Sequence, residues 1–150
     1  MRGFLELRFD KVDLSKYEAT CEATVMNVHR GSKRATNAAL DEIMKESLLQ
    51  VPEATGTLAS SIYKQVMRRA DVKGYYYEGT VGYGGNGDPT NPKTGQKASS
   101  YMMIVHEDLG AVHIKGKAKF LEDPVRNYGE QNFSRAVVKH ITDALMGLGG

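Results

Sequence analysis

The chain has 150 residues, with 20 Lys and Arg against 18 Asp and Glu, a net charge of +2. Apolar residues make up 41% and charged residues 25%, the ordinary balance of a globular chain long enough for one domain with its own core. No stretch approaches the roughly 20 apolar residues that span a bilayer. A single cysteine, Cys21, allows no internal disulfide. Glu6, Arg8 and Asp10 interrupt any signal-peptide core, so synthesis in a reducing cytosol is expected. No third of the chain is strongly basic, which disfavours a sequence-independent DNA binder.

Leu5 to Asp10 alternates apolar and polar residues, the period of a half-buried strand. Asp13 or Ser15, with Glu18 three residues after Ser15, offers a helix cap. Tyr17, Cys21, Val25, Val28, Ser32, Ala35, Ala39 and Ile43 then recur at spacings of three and four, one stripe of a long helix over about 15–50. Cys21 lies on that stripe, where a buried, inert thiol is expected. Gly31 interrupts it and costs about 1 kcal/mol relative to Ala, inviting a kink or break. Pro52 ends the helix, because the residue before proline disfavours helical angles.

Residues 51–58 read as a turn opening a short second helix, with Gly56 expected at a positive φ. Residues 60–67 and 75–83 read as strands around a turn at Asp71–Gly74, a β-hairpin. Residues 84–100 hold four Gly and two Pro, with Ala98 their only apolar side chain. This stretch is expected to be a loop, mobile in isolation. Tyr101 to His106 restores an apolar run, either a strand or a short buried helix. The last helix begins at Asp123–Pro124, where proline's missing N–H does no harm, and Gly147 to Gly150 end it. Val125, Tyr128, Phe133, Val137, Ile141, Ala144 and Leu145 form its apolar face.

The fold class expected is α+β in one domain over 1–150. A long N-terminal helix and a C-terminal helix pack on a small, mainly antiparallel sheet, with a long Gly/Pro-rich loop over 84–100.

Reactive side chains form no persuasive constellation. His106, Glu107 and His113 invite a metal-assisted hydrolase, but the histidines stand seven apart across Gly110, unlike the i, i+4 pair of a zincin helix. His29 and His140 are expected at surface or boundary positions. The glycines of 82–87 precede no obvious helix and no Gly-Lys-Ser/Thr closes a phosphate loop. Ser60–Ser61 and Ser99–Ser100 sit in no nucleophile elbow. Arg68, Arg69, Lys115, Lys117 and Lys119, with Tyr75 to Tyr77, define an alternative small nucleic-acid-binding module. Solvated charge and strand packing are the simpler readings of those residues.

Three segments carry a resemblance. Pro52-Glu53-Ala54-Thr55-Gly56-Thr57-Leu58-Ala59-Ser60-Ser61 is similar to a P-x-x-T-G-x-L-x-x-S element that follows a long helix and opens a hairpin. Tyr101-Met102-Met103-Ile104-Val105-His106-Glu107 is similar to a Y-A-x-x-V-H/F-E stretch, and Gly116-Lys117-Ala118-Lys119-Phe120-Leu121-Glu122-Asp123-Pro124 to an A-K-F-L-x-x-P lead into a C-terminal helix. In this order, across about residues 15–147, they resemble the neck and minor capsid, or tail-completion, proteins of tailed bacteriophages.

The resemblance implies a non-enzymatic virion protein of the head–tail junction, made in the host bacterial cytoplasm. It implies a homo-oligomeric ring joining portal-adaptor and tail proteins. Genomic DNA would pass through without specific binding; no cofactor, metal or membrane is involved. Pro52, Thr55, Gly56, Leu58, Tyr101, His106, Glu107, Phe120, Leu121 and Pro124 are then structural, with Phe120 and Leu121 docking the base of the last helix on the sheet. The 84–100 loop departs from the family pattern as an insertion. Gly84, Asn86, Asp88, Pro89, Asn91, Pro92, Lys93 and Lys97 are its expected subunit or partner contacts.

Overall fold

A computed structural model describes residues 14–53, 55–85, 87–112 and 115–147. The strand expected at 5–10 and the cap at Asp13 lie outside them, as do Asn86 and His113. The fold is α+β: a long helix, an antiparallel hairpin, and helices packed against them.

Helix α1 runs unbroken over Leu14–Gln50, 37 residues and about 55 Å. Gly31 does not end it. A Cβ there would lie 2.7 Å from the carbonyl oxygen of His140 and 2.7 Å from the Cα of Ile141. The glycine lets the last helix meet α1 backbone to backbone, and that packing outweighs the local propensity cost. Ala35 and Ala39, both buried, continue the close approach.

Helix α2 (Thr57–Ser60) leads into strand β1 (Tyr63–Asp71), which pairs antiparallel with β2 (Gly74–Gly82). Asp71 pairs with Gly74 across the two-residue tip Val72–Lys73, and the Asp71 carboxylate accepts the Lys73 N–H at 2.8 Å. Gly74 takes φ 128°, which a side chain would resist. Strand β2 runs alongside α1 in the same direction. His29 meets the rings of Tyr75 and Tyr77 edge-on at 6.0 and 6.2 Å. Gly79 lies against Thr36 and Leu40, and Tyr83 reaches Ser47.

The run expected as strand or buried helix is helix α3 (Ala98–Glu107). It starts three residues inside the expected loop, and its Met103 and Ile104 are exposed rather than buried. The single C-terminal helix expected is two, α4 (Glu122–Gln131) and α5 (Phe133–Leu145), separated at Asn132. Pro124 falls in the first turn of α4, where its N–H would have no intrahelical acceptor. Glu122 and Asp123 put negative charge at the positive end of that helix. Gly147 follows α5 at φ 71°.

Two apolar centres result. One lies along α1 under the hairpin and α5, with Ala35, Ala39, Leu40, Ile43 and Ala144. The other joins Val51, Leu58, Ile62, Tyr83, Ala98 and Phe120 at the hairpin base. The stripe on α1 is buried only from about Ala35 onward. Cys21 is exposed, and Val25 is 55% exposed, because no described element covers the helix that far toward its start.

Candidate functional site

The second apolar centre is where the three motif segments converge. Gly56 turns the chain into α2 at φ 72°, as expected, and its carbonyl accepts the Ser60 N–H at 2.9 Å. Thr55 and Thr57 share a hydroxyl hydrogen bond of 2.8 Å, and Leu58 is buried. Ser61 is a buried clasp. Its hydroxyl donates to the Leu58 carbonyl at 2.7 Å and accepts the Gly84 N–H at 3.0 Å. Its carbonyl accepts the Gly85 N–H at 3.0 Å. The first motif therefore holds both ends of the hairpin together.

Tyr101 and Val105 of α3 face that segment across a small recess lined also by Pro52, Gly56, Leu58 and Asn91. Gly116 presses on the backbone of Val51 and Pro52, where a Cβ would approach to 2.5 Å. The Lys117 N–H donates to the Gln50 carbonyl at 2.9 Å, tying the third motif to the end of α1.

Phe120 is 1% exposed and stands edge-on to Tyr83 at 5.1 Å and to His106 at 5.0 Å. Buried aromatic pairs in this geometry add about 0.5–1.5 kcal/mol beyond their area. The Tyr83 hydroxyl bonds Ser47 at 2.7 Å, and burial pushes its pKa up against the opposing effect of that bond. Leu121 is half-buried beside Phe120, and Pro124 is fully buried.

Beside this aromatic cluster runs a polar chain. Glu107 bonds Lys119 Nζ at 2.5 Å and His106 Nδ1 at 2.8 Å. Lys119 also pairs with Glu122 at 2.9 Å, and Glu122 with Arg126 at 2.6 Å. The Lys119 ammonium, then the His106 ring, hold the Glu107 carboxyl below its usual range. Its two acid partners, Glu107 first, push the Lys119 ammonium up. Lys119 adopts φ 57°, and its N–H donates to the His106 carbonyl at 2.8 Å. Each charge thus has an opposite charge beside it, and the chain of pairs links the end of α3 to the start of α4. His113 lies outside the described residues. Among them, no three of His, Cys, Asp and Glu cluster as a metal site.

The 84–97 loop closes on itself. The N–H of Asn91 donates to the Gln96 carbonyl at 2.8 Å, Gly95 donates to Asn91 at 2.8 Å, and Thr90 bridges Lys97. Asp88 accepts both the N–H and the hydroxyl of Ser99, at 2.8 and 2.6 Å, and so caps α3 from the loop. These bonds hold its carboxyl below the usual range, the Ser99 hydroxyl first. Gly84, Asp88, Pro89 and Asn91 are half-buried, facing their own chain, whereas Pro92, Lys93 and Lys97 are exposed.

The basic residues do not form one face. Arg68 stacks 4.0 Å over the Tyr75 ring and Arg69 pairs with Glu78 at 2.9 Å, both on the hairpin. Lys115 pairs with Glu53 at 2.7 Å and Lys117 with Asp123 at 2.5 Å, near the hairpin base. Among the described residues no helix is long and apolar enough to cross a membrane. No protein-family model, curated protein or solved structure matches the chain.

The Ser61 clasp, the Ser47–Tyr83 bond and the Asp88 cap escape sequence reasoning. None of the three has a local signal; Asp88 stands eleven positions before Ser99, beyond any local capping pattern.

Proposed function

We propose that this chain is a structural subunit of a bacteriophage head–tail junction, a neck or tail-completion protein that assembles as a ring around the DNA passage. The convergence of the three motif segments on one core carries the reading. Their polar groups are spent on internal bonds, and Phe120, Leu58 and Pro124 are packing residues. A subunit of this kind needs a stiff body and surfaces left for neighbours. The long α1 with its uncovered start, and a hairpin with exposed Val72, Tyr75 and Tyr76, fit that need. Arg69, Lys115 and Lys117 are already paired with acids, which suits a conduit through which DNA slides, since free phosphate contacts there would hold it.

A phage carrying a stop codon in this gene, grown on a non-suppressing host, tests the proposal. Filled heads and finished tails should accumulate unjoined. Normal yields of joined, infectious particles would reject it.

A further inference from the structure

Helix α1 and the outer half of the hairpin together carry a patch of unpaired positive charge. His29 meets the rings of Tyr75 and Tyr77, and Thr36 lies against Gly79, so α1 between them runs beside the outer half of β2. Arg30, Lys33 and Arg34 fall in that stretch, with no acid among them. Arg68 is the register partner of Tyr77 and stacks 4.0 Å over Tyr75, which brings its charge to the same place. Lys73 adds a fifth cation at the exposed tip. Among the described residues none of the five pairs with an acid, whereas Arg69 beside them is taken up by Glu78 at 2.9 Å.

The patch is close to one sign. Asp71 is the acid within it, its carboxylate accepting the Lys73 N–H at 2.8 Å. The next acids along α1 are Glu22, about two turns before Arg30, and Asp41, which pairs with Lys64. Five cations against one acid leave +4, twice the +2 of the whole chain, so the remainder is net negative. The cations come from two segments, 30–34 and 68–73, in different thirds of the chain, which is why no third reads as basic. Of the basic residues that stand out in the sequence only Arg68 belongs here; Lys115 and Lys117 sit near the hairpin base, each on an acid.

We infer that this patch binds the phosphate backbone of DNA without reading its sequence. An acidic protein surface carries bases of its own, and those would meet like charge here; a phosphate backbone carries none. Three of the five cations are arginines, whose planar fork matches phosphate oxygens. Exposed Tyr75 and Tyr76 add hydroxyl donors of the kind that bond phosphate and sugar. The cations stand on two elements already packed on each other, so little has to be ordered on binding. The inference goes beyond the neck reading and does not depend on it. Where DNA does pass, contact falls on the tip side of the hairpin, and the paired lysines near its base leave the DNA free.

Fluorescence anisotropy of a labelled duplex of mixed sequence, titrated with the purified full-length chain, tests the inference. Binding should weaken as salt rises, with log K falling against log salt by about 0.9 for each phosphate contacted. The double variant Arg30→Gln, Lys33→Gln should make that slope shallower by about two and weaken binding at least about tenfold at about 50 mM salt. Both side chains are exposed, so its circular dichroism and Tm should match the parent. Lys73→Gln, at the tip, should take about 0.9 off the slope by itself. Lys115→Gln with Lys117→Gln should change neither slope nor affinity. A parent that does not bind at about 50 mM salt, a slope that the double variant and Lys73→Gln both leave unchanged, or an equal loss in the base variant would each overturn it. Polyglutamate bound more tightly than the duplex at equal charge concentration would overturn DNA as the partner in favour of an acidic protein. Whether heads and tails join without this gene bears on the neck reading alone.

Discussion

Phe120 sits where the chain leaves the hairpin region for α4, closed off by Tyr83 and His106. Truncation to alanine should cost about 3–5 kcal/mol, read as a lower urea midpoint with an unchanged slope. A loss under 1 kcal/mol would remove Phe120 from the core. Gly31 sets two effects against each other. Gly31→Ala gains about 1 kcal/mol of helix propensity, yet its Cβ meets α5 backbone, and prying packed elements apart costs typically 1–3 kcal/mol. The net should be a lower Tm; a raised one would mean the helices separate freely. Tyr83→Phe orphans the buried Ser47 hydroxyl and should cost about 1–3 kcal/mol, partly recovered in the double variant with Ser47→Ala. Phe120 and Gly56 are legible in the sequence, one as a large aromatic before a helix, the other as a glycine at a turn. Cys21 and Gly31 are not. Their environments depend on where α5 and the hairpin stop along α1, a tertiary fact that periodicity does not carry.

At the scale of elements, the hairpin and α1 are legible because each has a long, regular pattern and a chemical stop, Pro52 for the helix and Asp71–Gly74 for the turn. The start of α3 is hidden because its cap comes from Asp88, eleven positions before Ser99 and outside local capping patterns. The break at Asn132 shows in the sequence only as one five-residue step, Tyr128 to Phe133, in an apolar face otherwise spaced by three and four. The Asp88 cap gives a pH prediction. Its folded carboxyl titrates below the unfolded one. The contribution is therefore complete above the unfolded value of about 4 and lost as pH falls through the lower, folded one. Cα chemical shifts of Ala98 to Tyr101 should move away from helical values on acidification below about pH 4. Asp88→Ala should reproduce the change at neutral pH. Helical shifts preserved in both would remove Asp88 from that role.

For the molecule as a whole, the first turns of α1 project past everything described that packs on it, with Cys21 to Met26 all exposed. An uncovered helix of this length is marginal in water, so amides there should exchange quickly in the separated chain. They should slow at least about tenfold once a neighbour covers them, while those near Ala39 stay protected throughout. Equal protection at both places in the separated chain would contradict the projecting geometry. The fold class was open to sequence reasoning because helix and strand patterns are local. The pocket among Tyr83, Met103 and Phe120 was not, since only the folded chain brings those residues into one surface. The central claim, a ring subunit at the head–tail junction, is tested most directly by cryo-electron microscopy of intact particles carrying this gene. A ring between head and tail should appear, into which rotationally related copies of the α1–hairpin body fit. Well-resolved neck density that no copy of this chain fits would contradict it.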